Sequence, residues 1–438
     1  MKRNRKKWTA IFLVAAMVLT ATSCGPKNPA DENLVKENED NQKKVVLFVP
    51  MERSKPDVEN AARTAFDKTV IMAEEKLNVT VEYNTYTAEN YQEKSYDDVA
   101  LERIRSRMDD FYLLNPDVLQ KTGEEGRLAD LSGLACVKNL REVVKTANTV
   151  DGKLVGIPQE VVVYGLFVNK DMFDRYGLTL PNTPEEFLEC CKVFKENGIE
   201  TPIGANRWWL ETFVFAQAYA ELYNDGHTDE EIAALNNGER KYSDYMRKGF
   251  MYLKKLIDLG YIDAKTAYTY EAIEGEGPDF LAQKTPIVMA YWGAANADTY
   301  YGKPDFNMQV IGFPSDRGQM PVMSMSGLSA LSDSEHLDDT LDVLEEMLSD
   351  EAMRTYAETN KVISPSKNVE VECIPALKPL NNLVNGGTYV LASNAGMRVE
   401  QWGNTCLIVR KLLNGASVEE CMAEFDKLQE ETLSSEEK

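Results

Sequence analysis

Four tryptophans stand beside small or polar residues: Trp208 and Trp209 in "ANRWWLET", Trp292 in "AYWGAAN" and Trp402 in "EQWGNT". An indole face is a platform for the C–H face of a pyranose ring. Asp, Glu, Asn and Arg side chains around the rim can then bond the sugar hydroxyls. Core packing is the competing use of such rings, since tryptophans are highly buried on average. Residues for transforming a substrate are scarce. The chain has two histidines, His227 in "NDGHTDEE" and His336 in "DSEHLDD". Neither has the spacing of a zinc pair such as HExxH, and no phosphate-cradling GxxxxGK[ST] or calcium-binding DxDxDG loop is present. No GxSxG elbow offers a serine nucleophile. With 71 acidic residues, spacing alone singles out no carboxylate pair for glycoside hydrolysis. We therefore assign no catalytic residue, no metal ligand and no cofactor from the sequence.

Cys24 carries a different chemistry. A basic block, Lys2, Arg3, Arg5, Lys6 and Lys7, precedes an apolar run over 10–19 and the small residues Ala21, Thr22 and Ser23. That order reads as an export signal over 1–23. The run is too short to span a bilayer, which takes ~20 residues as a helix. Ala21-Thr22-Ser23-Cys24 resembles a bacterial lipobox. Such a motif implies cleavage before Cys24, whose thiolate is the nucleophile that takes the lipid.

Composition narrows the partners. The 438 residues carry a formal net charge of −23, and losing the five basic residues of 1–23 moves it to −28. Nucleic acid is excluded as a partner, because phosphate binding needs a basic surface. Anionic lipid heads repel such a chain, so membrane attachment rests on the N-terminal lipid alone. Six cysteines follow Cys24. Cys190 and Cys191 fall on a helical apolar stripe with Phe187 and Phe194, and Cys421 sits beside Val418, Met422 and Phe425. These read as small buried hydrophobes with free thiols.

The elements that must position any site follow an α/β grammar. After a polar tether over 24–43, an apolar strand over 45–49 is followed by a helix over 58–76 and a strand over 79–83. A helix over 96–107 and a strand over 110–114 come next. In open sheets of this kind ligands sit beyond the carboxyl ends of the strands. That rule points at Glu52 and Arg53 and at Asn115 and Asp117. Later strands are expected at 166–169, 201–204, 286–292 and 308–314, with helices at 184–197, 211–223, 242–259 and 338–347. Thr183, Pro184 and Glu186 form a capping box for the first of these helices.

The stretch from Asp151 to Ile203 resembles the extracellular solute-binding proteins of ABC importers, the group that includes maltose-binding protein. Its Gly152-Lys153, Gly156, Pro158, Asn169-Lys170-Asp171, Phe173, Gly177-Leu178, Pro181, Thr183, Glu186-Phe187 and Gly198-Ile199 follow the family pattern in order. "PIVMAYWGAAN", "SMSGLSALSD" and "EQWGNTCLIVRKLLNGASVEEC" match later blocks. The resemblance implies a two-lobe periplasmic-binding-protein fold of type II, with three hinge crossings and a ligand cleft between the lobes. The crossings would lie near 161–163, 323–328 and 366–369. Lobe one would be 44–160 plus 329–368, and lobe two 161–328 plus 369–434.

Carried over residue by residue, Asp117 falls where relatives place a sugar-binding aspartate, with Asn115 beside it. Trp208 or Trp209, Trp292 and Trp402 fall near aromatic ligand contacts, and Tyr164 and Glu160 flank the first crossing. The resemblance implies a monomeric, lipid-anchored protein at the cell membrane, facing outside the cytoplasm. It would capture an oligosaccharide for the permease subunits of an ABC importer. The alternatives are the same fold holding a cationic solute, a polyamine or iron (Tyr300 and Tyr301 being the iron candidates), and a surface glycosidase.

Overall fold

The apolar run after Lys44 becomes the centre of a sheet. In a computed structural model of the chain, strand β1 (Lys43–Val49) lies parallel to both β2 (Val79–Thr85) and β3 (Phe111–Leu114). Val45, Leu47, Phe48 and Val49 are fully buried, as expected of a strand covered on both faces. The structure describes residues 43–54, 61–92, 94–207, 209–269, 273–293, 304–372 and 374–435. The expected leader 1–23, Cys24 and most of the tether lie outside these, as do Trp208, Tyr300, Tyr301 and Cys373. Lys43, assigned to the tether from sequence, is instead the first residue of β1.

A second sheet is built on β4 (Val162–Asn169). Strand β5 (Ile203–Gly204) pairs parallel with β6 (Ile287–Trp292), and β6 pairs antiparallel with β4 along its length. On its other edge β4 pairs with β7 (Met308–Ile311) and with β8 (Val322–Ser324). Strand β9 (Gly327–Ala330) returns to the first sheet against β3, and β10 (Val390–Leu391) pairs with β8 in the second. Among the described strands the chain therefore passes between the sheets three times: from β3 to β4, from β8 to β9, and from β9 to β10. This is the two-lobe α/β arrangement expected from the resemblance, and all of it falls in one unit beginning at Lys43.

Local chemistry sets the helices. Thr183 accepts from the Glu186 backbone at 3.2 Å while the Glu186 carboxylate accepts from the Thr183 backbone, so Pro184–Glu196 starts at the expected capping box. Its Phe187, Cys190, Cys191 and Phe194 are buried on one stripe. Cys136, Cys190, Cys191, Cys406 and Cys421 are free and buried. The expected helix over 211–223 is two, Leu210–Ala218 and Ala220–Asn224. The expected strand over 308–314 breaks at Gly312, where a Cβ would lie 2.7 Å from the Met320 backbone nitrogen. Strand β4 starts four residues earlier than expected, because Val162, Val163 and Tyr164 find ladder partners in the distant β8. Among the described residues no helix is long and apolar enough to cross a membrane.

The core has three parts. One apolar cluster covers one face of each sheet, and a third runs continuously from Val45, Leu47 and Phe111 of the first sheet to Phe167, Val288 and Trp292 of the second. Ile157, Val161, Val163, Met323, Met325 and Leu328 carry it through the crossings. There the chain pairs with itself. Ile157 and Leu328 exchange backbone hydrogen bonds of 3.0 and 2.9 Å, and Val161 donates to Ile363 at 3.0 Å. Gly156 and Gly327 permit the approach, since a Cβ on Gly327 would lie 2.9 Å from the Gly156 Cα. Overpacking of this kind costs about 1–3 kcal/mol. Gly327→Ala is expected to lower the thermal midpoint by several degrees relative to a Gly133→Ala control, whose added Cβ meets nothing within 4 Å. Differential scanning calorimetry on the two variants checks this.

Candidate functional site

Where the crossings leave the sheets, their polar ends surround a cavity of about 440 Å³. Asn115, Pro116 and Asp117 reach it from the carboxyl end of β3, and Glu160, Val162 and Tyr164 from the start of β4. Ser324, Met325 and Ser326 come from the turn between β8 and β9. Ser393, Glu400, Trp402 and Gly403 follow β10, and Asp97 projects from the first turn of helix Tyr96–Arg105. Segments of both sheets thus face one hollow; Asn115 and Asp117 lie beyond a carboxyl end as the open-sheet rule requires, whereas Glu160, Val162 and Tyr164 come from the amino end of β4.

Two rings form its aromatic wall. Trp402 opens helix Trp402–Leu413, and Tyr164 stands on β4, with centroids 5.2 Å apart and planes tilted by 47°. Phe215 of helix Leu210–Ala218 supports the indole from behind, at 6.0 Å. Both cavity rings are half-buried, which leaves ring surface open to a guest.

The polar groups are tied in series. Ser326 Oγ donates to Asn115 Oδ1 at 2.7 Å, and Asn115 Nδ2 donates to Asp97 Oδ1 at 2.9 Å. Glu160 accepts from the Tyr356 hydroxyl at 3.5 Å. The Glu400 carboxylate lies over Gly403 in the first turn of its helix, so closely that a Cβ there would strike it. A negative group is favoured at that helix end.

Burial and mutual repulsion act on the acids. Burial raises the Asp117 carboxyl to about 7, with Glu400 and Asp97 adding to the rise and Lys121 and the Gln401 backbone opposing it. Asp97 is also raised, first by burial, against the pull of its bond from Asn115. Like charges sharing a partly dry site shift in this direction. Among the described residues that line the cavity there is no Lys, Arg or His. No group of three or more His, Cys, Asp or Glu among the described residues could hold a metal ion.

Of the residues singled out from sequence, Asn115, Asp117, Glu160, Tyr164 and Trp402 meet at this cavity. Trp208 lies outside the described residues, and the other described ones are placed elsewhere. Trp292 is 1% exposed, donates its indole N–H to the Lys361 carbonyl at 2.9 Å and stacks on Phe167. Its expected role as a ligand contact is corrected: the ring ties β6 to the end of helix Asp350–Asn360 and presents no face to a guest. Trp209 is 8% exposed and packs in the cluster that joins the sheets. Arg53 is engaged by Glu74 at 3.0 and 2.6 Å and lies over the Tyr83 ring, and Glu52 is exposed beside it. Neither reaches the cavity, because β1 ends beside helix Ala61–Leu77, which supplies Glu74.

Sequence reasoning missed Asp97, Glu400, Ser324, Ser326 and Ser393. Glu400 was within reach, two residues before Trp402 in "EQWGNT". The serines of "SMSG" lie in an expected crossing, but nothing distinguishes Asp97 among 71 acids.

Comparison with known proteins agrees with this fold. The family model described as bacterial extracellular solute-binding protein matches residues 57–354. The melibiose/raffinose/stachyose-binding protein MelE of Bacillus subtilis (strain 168) is 24% identical over 251 residues, 53% of this chain and 55% of that protein. The galactooligosaccharide-binding protein of the same organism is 25% identical over 320 residues, 68% of this chain and 66% of that protein. The chain thus spans between about half and two-thirds of the length of these two relatives. A family 1 extracellular solute-binding protein from Bifidobacterium longum subsp. infantis superposes with a TM-score of 0.71 at 17% identity, covering 88% of this chain and 98% of that one. Matched by the family model over more than half its length, and carrying the family's fold, the chain belongs to the bacterial extracellular solute-binding proteins.

Proposed function

We propose that this protein captures an oligosaccharide and delivers it to the permease of an ABC importer. In this reading it is a monomer held at the outer face of the cell membrane by diacylglycerol on Cys24, after removal of residues 1–23. Residues 44–160 with 329–368 form lobe one, and 161–328 with 369–434 form lobe two. A guest touching both lobes favours their closed arrangement, because those contacts exist together only when the lobes are shut.

The observation that carries the reading is the cavity: Trp402 and Tyr164 line one hollow together with Asn115, Asp117, Glu160 and Glu400. Indole and phenol offer stacking surface for a sugar ring, and the carboxylates accept from its hydroxyls. The names of the two Bacillus relatives place galactosides of two to four rings first among guests to try. The reading assigns no catalytic residue.

Titration with raffinose, stachyose and galactooligosaccharides, read by tryptophan emission and thermal shift, is the direct test. Trp402→Ala is expected to weaken binding by about tenfold or more, or about 1.4 kcal/mol, with Trp402→Phe intermediate. Silence across a broad glycan panel by both readouts would retire the proposal. A second expectation concerns pH. The folded chain holds the Asp117 proton up to about 7, against an ordinary carboxyl value of 3.8. Between those values the native state binds the proton more strongly than the unfolded chain does, so this group's contribution to stability declines as pH rises across the window. Glu276, raised to about 7 by burial, acts in the same direction. Without ligand, the melting temperature should fall between pH 5 and pH 8, and the fall should be shallower in Asp117→Asn. Melting curves over that range check it.

A further inference from the structure

We infer that the saccharide carried in this cavity bears a protonated amine, so that the preferred guest is an amino-sugar oligomer rather than a neutral one. The inference rests on the sugar-binding reading above and adds the charge of the guest.

The argument is one of donors and acceptors. A neutral sugar hydroxyl both donates and accepts, so a site built for it offers both kinds of partner. Here four carboxyl groups, Asp97, Asp117, Glu160 and Glu400, face one hollow of about 440 Å³. An ionised carboxylate only accepts, which for Asp117 holds once pH passes about 7 and its carboxyl gives up the proton. The supply of side-chain donors is reduced further, because Asn115 Nδ2 is directed at Asp97 and Ser326 Oγ at Asn115. Among the described lining residues no cationic side chain balances the acids. Lys121 acts on Asp97 and Asp117 from an exposed position one turn along the helix from Asp117. Ser324, Ser393 and Trp402 still offer donors, but among the described lining residues carboxyl acceptors and negative charge predominate.

An ammonium group supplies what is missing, with three donors, no acceptor and one positive charge. The aromatic wall accommodates the same guest. An amine carried on a ring stacked against Trp402 lies within reach of an indole face, where a cation is attracted to the ring quadrupole. The rise in the Asp117 carboxyl comes first from burial, and the part that Glu400 and Asp97 add is a cost that a guest cation relieves. A free polyamine would satisfy the charges but would leave the tilted Trp402–Tyr164 wall without a ring to stack on.

The test compares matched sugars on the full chain by calorimetry near neutral pH: β-1,4-linked glucosamine trisaccharide, its fully N-acetylated counterpart, raffinose and spermidine. The glucosamine trimer is expected to bind about tenfold or more tighter than the acetylated trimer, the scale of a charge-assisted hydrogen bond in a partly dry site. Rising ionic strength should narrow that gap. Asp117→Asn and Glu400→Gln should each reduce it several-fold while melting cooperatively. If neutral sugars bind as well as or better than the glucosamine trimer, the inference is overturned and the sugar-binding reading stands. If spermidine binds and no saccharide does, both fall. A preference for the amine that persists unchanged in both variants also overturns the inference, because the carboxylates would not be its source.

Discussion

The constraint on which this molecule depends is that three stretches of chain pass between two sheets through one narrow seam. Ile157 and Leu328 exchange backbone hydrogen bonds there, Val161 pairs with Ile363, and Gly156 and Gly327 lie too close for side chains. Burying unpaired backbone would be costly, so the crossing segments satisfy one another as short antiparallel bridges. The same seam carries apolar side chains continuously from the first sheet to the second. The lobes share a core as well as a covalent path.

That seam has two kinds of end. Its interior is apolar and includes Trp292, whose indole N–H reaches a helix-terminal carbonyl. Its mouth is polar, because strand β3 and the β8–β9 turn finish there in Asn115, Ser324 and Ser326. One fold thus separates tryptophans of similar sequence surroundings into a strut and a wall. Trp292 ends a central strand and is enclosed from both sides, whereas Trp402 begins a helix at the rim and keeps a face uncovered.

The electrostatics of the mouth follow from chain crossing as well. Asp97, Asp117, Glu160 and Glu400 come from four separate stretches of chain, and none is within three residues of another in sequence. Burial first, and then the nearby Glu400, raises Asp97 and Asp117 against the ordinary tendency of an acidic chain to keep its charges in water. A protein of net charge −23 has many places to leave carboxylates solvated. Placing four around one cavity is a property of the site.

The order of elements was legible in the chain itself. Alternating apolar strands and striped helices and the Thr183 capping box are encoded by neighbours a few residues apart, and they appear within a few residues of where local rules put them, whereas the crossing segments were expected only from the family resemblance. Half the site was legible too, because Asn115 and Asp117 follow a strand end and Trp402 sits in a polar stretch. Which aromatic is covered and which acids assemble were decided only by tertiary structure. Glu52 and Arg53 also follow a strand end, yet Glu74 from a neighbouring helix holds the arginine away from the cavity. The physical reason is range. Propensity, capping and periodicity act over one or two turns of chain, whereas burial and Coulomb interaction depend on which distant segments arrive beside one another.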